Sequence, residues 1–159
     1  MDTDLTGRCT CGHVHYRLAG RPMITHGCHC LSCQRETGGA FAINALYEAD
    51  RVTLTAGEVE EIATPTDSGT PQLIQRCPHC KVALWSHYGG RRHAAFVRVG
   101  TLETPHALAP DVHIFVRSKV PWVRLPQGVP AFDVYYDVPA VWPAESLARR
   151  DAAMRAAGA

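Results

Sequence analysis

Apolar and polar residues alternate along much of this chain with a period of two. In the run His13–Leu18, Val14, Tyr16 and Leu18 fall on one face and His15 and Arg17 on the other, the pattern of a half-buried strand. Runs rich in Val, Ile, Phe and Tyr predict further strands at Phe41–Tyr47, Arg51–Thr55, Val59–Thr64, Leu73–Arg76, Val82–His87, Ala95–Val99, Asp111–Arg117 and Asp133–Tyr136. Eleven prolines and thirteen glycines punctuate these runs, and strands separated by turn signals roughly every ten residues predict an all-β (mainly β) sandwich or folded sheet. One long helix is predicted over Ala144–Ala157, with Pro143 near its start and Glu145 in its first turn. Its apolar stripe, Leu147 and Met154, is thin, so it reads as a peripheral tail. The stretch S-C-Q-R-E-T-G-G at Ser32–Gly39 suits a single helical turn stopped by Gly38 and Gly39.

A length of 159 residues predicts one domain, with a core over about residues 5–140 and the helical tail at about 144–157. Apolar residues at 46% and charged residues at 19% exclude intrinsic disorder. Sixteen Lys and Arg against fifteen Asp and Glu give a net charge of +1, and Lys81 and Lys119 are the two lysines. Such a chain has no basic face for nucleic acid or an anionic membrane. No apolar run approaches the ~20 residues that span a bilayer. The opening M-D-T-D-L-T-G-R-C carries acids where a signal peptide needs cations, so a cytoplasmic location is expected.

A reducing compartment changes the meaning of the seven cysteines, which favour metal binding or nucleophilic chemistry over disulfides. They fall in three clusters: Cys9 and Cys11, then Cys28, Cys30 and Cys33, then Cys77 and Cys80. Thiolate ligation points to zinc before an iron–sulfur cluster. Pairing Cys9 and Cys11 with Cys77 and Cys80 gives four ligands, a saturated structural site. Cys28, Cys30 and Cys33 then supply three positions of a second ion. Its fourth position is either open, as in a catalytic zinc, or filled by a histidine, for which His26, His29, His79 and His113 are the donors available.

Four blocks also resemble a known family: G-R-C-T-C-G-H-V-H-Y at Gly7–Tyr16, C-H-C-L-S-C-Q-R-E-T-G-G-A-F at Cys28–Phe41, R-C-P-H-C at Arg76–Cys80, and H-I-F-V-R-S-K-V-P-W at His113–Trp122. In this order they resemble the glutathione-dependent formaldehyde-activating enzymes, a family shared with centromere protein V. The resemblance implies an Mss4-like fold of folded sheets with two zinc sites, partitioned as above. It also implies carbon–sulfur lyase chemistry, the joining of formaldehyde and glutathione into S-hydroxymethylglutathione. One departure stands out: the family's last knuckle usually continues Cys-x-x-Cys-Gly, and Lys81 occupies the glycine position here. Glycine there eases a left-handed turn.

A zinc with an open position binds a thiol as thiolate, the nucleophile that adds to an aldehyde. Three site thiolates with a divalent ion carry one net negative charge, and a substrate thiolate adds another. Nearby cations offset this, and Arg35, two residues after Cys33, is the first candidate. Glutathione also brings two carboxylates, for which the family motif suggests Ser118 and Lys119, while Phe41 and Trp122 are candidates to wall the site. His113 reads as a core histidine, and Arg91, Arg92 and His93 as a solvated hairpin tip. Two functions compete: an enzyme of thiol–aldehyde adducts, and a protein-interaction module in which both zincs are structural. The fourth ligand of the second ion separates them. Either way, metal analysis of protein purified under reducing conditions should give two equivalents of zinc per chain; one equivalent, or iron with visible absorbance, contradicts the four-plus-three partition.

Overall fold

The computed structural model describes residues 4–158. A three-stranded antiparallel sheet has the order β1 (Leu5–Arg8), β2 (His15–Leu18), β5 (Val52–Ala56). A seven-stranded sheet is built from β3 (Ile24–Cys28), β4 (Ala42–Glu48), β6 (Glu60–Thr64), β7 (Gln72–Arg76), β8 (Ala83–His87), β9 (Ala94–Arg98) and β10 (Val112–Ile114), in the order β10-β3-β4-β9-β8-β7-β6. Its pairings among the described residues are antiparallel except that of β10 with β3. Three helices complete the fold: α1 (Leu31–Thr37), α2 (Val138–Val141) and α3 (Ala144–Ala156). No helix among the described residues is long and apolar enough to cross a membrane.

Period-two alternation gives the large sheet two buried faces. Ala45 and Tyr47 of β4 and Ala95 and Val97 of β9 pack with Val14, Tyr16 and Leu18 against the small sheet. Tyr16 meets Trp85 edge-on at 5.6 Å between ring centres. The intervening residues, Ala42, Leu46 and Ala94, face the other way and join Ile24, Val112, Ile114, Tyr136 and Trp142 in a second core. The seven-stranded sheet is thus the middle layer, covered on its second face by the C-terminal segment.

Where the chain departs from the alternation pattern, the reason is burial on both faces or a local turn. All five residues of β3 are buried, so no alternation marks it. β1 is four residues long and also escapes the pattern. The predicted strand Asp111–Arg117 is ordered as a strand over Val112–Ile114 because Phe115 takes a left-handed φ of 55° and turns the chain into a 3₁₀ turn at Val116–Ser118. Asp133–Tyr136 is not a strand. It runs beside β10 through hydrogen bonds such as Phe115 N to Val134 O at 2.7 Å, with one isolated bridge between His113 and Ala131.

Helix α3 is a docked element and not a loose tail. Ser146 is buried and donates to Met23 O at 2.6 Å. Arg149 grips Glu48 with two bonds of 2.7 and 2.6 Å and donates to Arg21 O at 2.9 Å. Its thin apolar stripe hides this, because polar side chains do the anchoring. Burial raises the Glu48 carboxyl, but the bonds from Arg149 outweigh it and hold the group below its ordinary value. A carboxylate depressed in the folded state adds stability above its unfolded pKa, and that stability is lost as pH falls through the folded pKa. Arg149→Ala should therefore cost about 1.5–3 kcal/mol near neutral pH, the range for hydrogen bonds to charged groups, with the deficit shrinking as Glu48 protonates under acid. Denaturant melts of both proteins at neutral pH and at low pH would check this.

Candidate functional site

The Sγ atoms of Cys9, Cys11, Cys77 and Cys80 all lie within 4.8 Å of one another. Cys9 and Cys11 approach to 3.5 Å and Cys11 and Cys77 to 3.7 Å. A tetrahedral ion with metal–sulfur bonds of about 2.3 Å sets its ligands about 3.8 Å apart, so these sulfurs stand at the edges of such a tetrahedron. Cys9 sits just after β1, Cys77 just after β7 and Cys80 shortly before β8. The cluster therefore clamps the small sheet to the large one, with Cys9 and Cys77 inside the core between them. Val14 N donates to Cys9 Sγ at 3.3 Å, a contact that favours the thiolate.

The second group, Cys28, Cys30 and Cys33, has its three Sγ atoms within the same 4.8 Å limit. Cys28 ends β3, Cys30 caps α1 and Cys33 lies in its first turn. Cys33 N donates to Cys30 Sγ at 3.3 Å. Contacts with Cys28 and Cys33 push the Cys30 thiol strongly down, whereas contacts with Cys30 and Cys33 push Cys28 strongly up. Three sulfurs this close compete for protons, which a divalent cation replaces. Cys28 and Cys33 are buried in the second core, so the two clusters lie on opposite faces of the large sheet.

No histidine or carboxylate among the described residues completes the three-cysteine group. None of the four histidines considered from the sequence brings a ring nitrogen into the group. His26 Nε2 lies 2.5 Å from the Tyr136 hydroxyl, which also accepts from Trp142 Nε1 at 2.7 Å. His29 points away from the sulfurs: its Nε2 is 2.9 Å from His113 Nδ1, and its ring stacks on Phe41 at 4.7 Å. The pair packs closely because Gly27 carries no Cβ, which would stand 2.5 Å from His113 Nδ1. Burial, then the charges of His113 and Lys119, push His29 down to about 4, so it is neutral near pH 7. His79 is exposed beside the other cluster, stacked on His13 at 3.9 Å.

The family model for glutathione-dependent formaldehyde-activating enzymes matches residues 4–118. The chain belongs to that family. Among solved structures, it is similar to that of a Rhodobacter sphaeroides protein determined in a structural genomics programme. The two share 19% identity over 62% of this chain and 87% of that one, with a TM-score of 0.46.

In this family member, Lys81 does take the left-handed turn that glycine would ease, at φ 63°. For a residue with a Cβ this costs on the order of 1 kcal/mol. Several bonds hold it there: Lys81 N to Cys77 O at 2.9 Å, Arg76 Nη1 to Lys81 O at 3.0 Å, and Lys81 Nζ to Glu60 at 2.7 Å. Arg76 also pairs with Glu36 of α1, which ties the four-cysteine knuckle to the helix of the three-cysteine group.

The other candidates from the sequence scatter. Phe41 stacks on His29 and lies beside the three-cysteine loop. Ser118 O accepts from Gln34 Nε2 at 2.9 Å, and the same Nε2 donates to His29 O at 2.8 Å, so Gln34 joins the His113–Trp122 block to that loop. Lys119 Nζ donates to Val123 O at 2.8 Å and Val120 O at 3.2 Å, and its charge reaches His29. Arg35 is exposed at the end of α1, and Trp122 is 73% exposed.

Sequence reasoning passed over Arg98. It is only 6% exposed and lies opposite Asn44 in the β4–β9 register, with Nη1 donating to Asn44 Oδ1 at 2.6 Å. The contact with Cys28 draws Cys33 towards thiolate most strongly and the charge of Arg98 adds least, but Cys30 and burial together outweigh them and push the thiol up. The signal in the sequence was a lone charge in the apolar run Ala94–Val99, on the parity of Ala94 and Phe96. Substitution should separate the two clusters. Cys80→Ser should yield insoluble or unfolded protein, since metal binding there is folding energy on the order of 10 kcal/mol. Cys33→Ser should stay soluble and lose one metal equivalent. Circular dichroism with metal analysis would check both; like behaviour of the two variants refutes the division.

Proposed function

We propose that this protein is a zinc-dependent carbon–sulfur lyase acting on adducts of an aldehyde with a small thiol, with glutathione as the thiol and formaldehyde as the aldehyde named by its family. The observation that carries this reading is the three-cysteine group without a fourth protein ligand among the described residues. A structural site would be expected to close itself, as the four-cysteine group does. The chemistry of the donors, three clustered sulfurs on a tight turn, fits a tetrahedral divalent ion. Zinc held by Cys28, Cys30 and Cys33 would keep a bound thiol deprotonated near neutral pH.

The residues around the cluster have separable tasks in this reading. Cys28, Cys30 and Cys33 fix the point where sulfur chemistry occurs. The amide of Cys33 donates to Cys30 Sγ and spreads its charge. The buried guanidinium of Arg98 offsets the negative charge that accumulates when a substrate thiolate joins three others. Phe41 and the His29–His113 pair make a wall whose histidines are held neutral by burial. Gln34 holds the cysteine loop against the turn at Ser118. The site surroundings need no proteinaceous nucleophile, because the thiol brings its own. The seven free cysteines also suit a reducing, cytoplasmic setting.

Titration calorimetry on zinc-loaded protein tests the reading. Glutathione should bind at least about tenfold more tightly than S-methylglutathione, which keeps both carboxylates and cannot form a thiolate. Equal affinities would remove sulfur coordination. Failure of every thiol at millimolar concentration, a Kd worth only about −4 kcal/mol, would remove thiol chemistry from the site.

A further inference from the structure

At the end of the large sheet where β4 and β8 begin and β9 ends, a cavity of about 520 Å³ opens beside the four-cysteine knuckle, with Cys80 on its border. It is bordered by Glu36 and Thr37 of α1, by Phe41, by Arg76 and Lys81 of the knuckle, and by Arg98. Thr37 lies one helical turn beyond Cys33, whose carbonyl accepts from its hydroxyl at 2.8 Å, so the cavity's border begins one turn of α1 from the three-cysteine loop.

The cations around it are unequal. Arg76 is paired with Glu36, and Lys81 with Glu60. Arg98 has no carboxylate partner among the described residues. Its Nη1 is bonded to Asn44, whereas Nε and Nη2 are buried and have no partner among the described residues. Those two atoms form one edge of the planar guanidinium. Their N–H bonds run parallel, at the spacing of the two oxygens of a carboxylate. The charge of Arg98 is felt at Cys33, but no hydrogen bond from the fork reaches a sulfur or any other acceptor among the described residues, and buried N–H groups left so cost free energy until an acceptor joins them.

We propose that Arg98 presents a carboxylate subsite at the border of this cavity, and that it receives a carboxylate of the thiol substrate while the sulfur is held at Cys28, Cys30 and Cys33. The inference rests on the thiol reading above and adds to it the group that selects a carboxylate-bearing thiol over a neutral one. The fork is closed to solvent in the present conformation, so engagement turns the guanidinium about its outer torsions towards the cavity.

S-methylglutathione tests the subsite independently of sulfur. Saturation-transfer NMR should detect its weak, millimolar contact with zinc-loaded wild-type protein, and the contact should be lost in Arg98→Gln. In calorimetry, glutathione should bind the wild type about tenfold or more tightly than the neutral thiol N-acetylcysteamine, and Arg98→Gln should shrink that preference to within about threefold. Arg98→Lys keeps the charge and loses the fork; it should fall between them, and it serves alone if Arg98→Gln does not fold. Metal content and thermal melts accompany each variant. No contact of S-methylglutathione with the wild type overturns the subsite whatever the thiols do. A glutathione preference that survives in Arg98→Lys unchanged, or a variant that loses zinc with its preference intact, overturns it as well and leaves the thiol reading standing. If S-methylglutathione binds through Arg98 while no thiol reaches the metal, the subsite holds and the thiol reading fails.

Discussion

Four sulfurs from two ends of the fold must meet at one point, and most of the architecture follows from that meeting. Cys11 and Cys77 are 66 residues apart in sequence and 3.7 Å apart at sulfur. Their junction locks β1 and its small sheet over one face of the large sheet, where Tyr16, Leu18 and Trp85 complete a core. A chain of this size with many short strands depends on non-local contacts, whose closure entropy is costly. Ligands that join distant segments offset that cost through their binding free energy. The strained Lys81 turn persists because the knuckle it closes is fixed from several sides.

The second cluster has a different relation to the fold. It is local, within six residues, and it sits at the junction of β3 with α1. It joins no distant segments, so under the proposed function its coordination is the one given to chemistry. The two clusters are nevertheless mechanically joined. Arg76 contacts the carbonyl of Lys81 on one side and Glu36 on the other. The structural knuckle thereby sets where α1 lies, and with it Cys33. The cavity bordered by Arg98 opens beside this junction, where Glu36 and Arg76 meet.

The histidines illustrate how context decides a role. Four of them could have closed the three-cysteine site on spacing alone. Tyr136 engages His26, His113 engages His29, and His79 stacks on His13. What remains at the sulfurs is a donor set of three. The C-terminal segment contributes to this outcome, since Tyr136 and Trp142 are the residues that fix His26.

Cysteine spacing marked out the three clusters, because ligands on one turn are set by local geometry, and ligand count led to the grouping into four and three that the structure shows. Period-two alternation likewise fixed the β-rich class and most strands. It failed at β3, which is buried on both faces, and at Asp133–Tyr136, which bonds beside β10 without forming a strand. Local pattern also misjudged α3, whose docking rests on Ser146 and Arg149 reaching residues over a hundred positions away. The lack of a fourth protein ligand among the described residues and the buried fork of Arg98 were decided by tertiary structure. Both depend on which distant groups pack beside a side chain and remove it from water. A charged residue in an apolar strand announces burial, but what it faces is set only when the sheets and the C-terminal segment close around it.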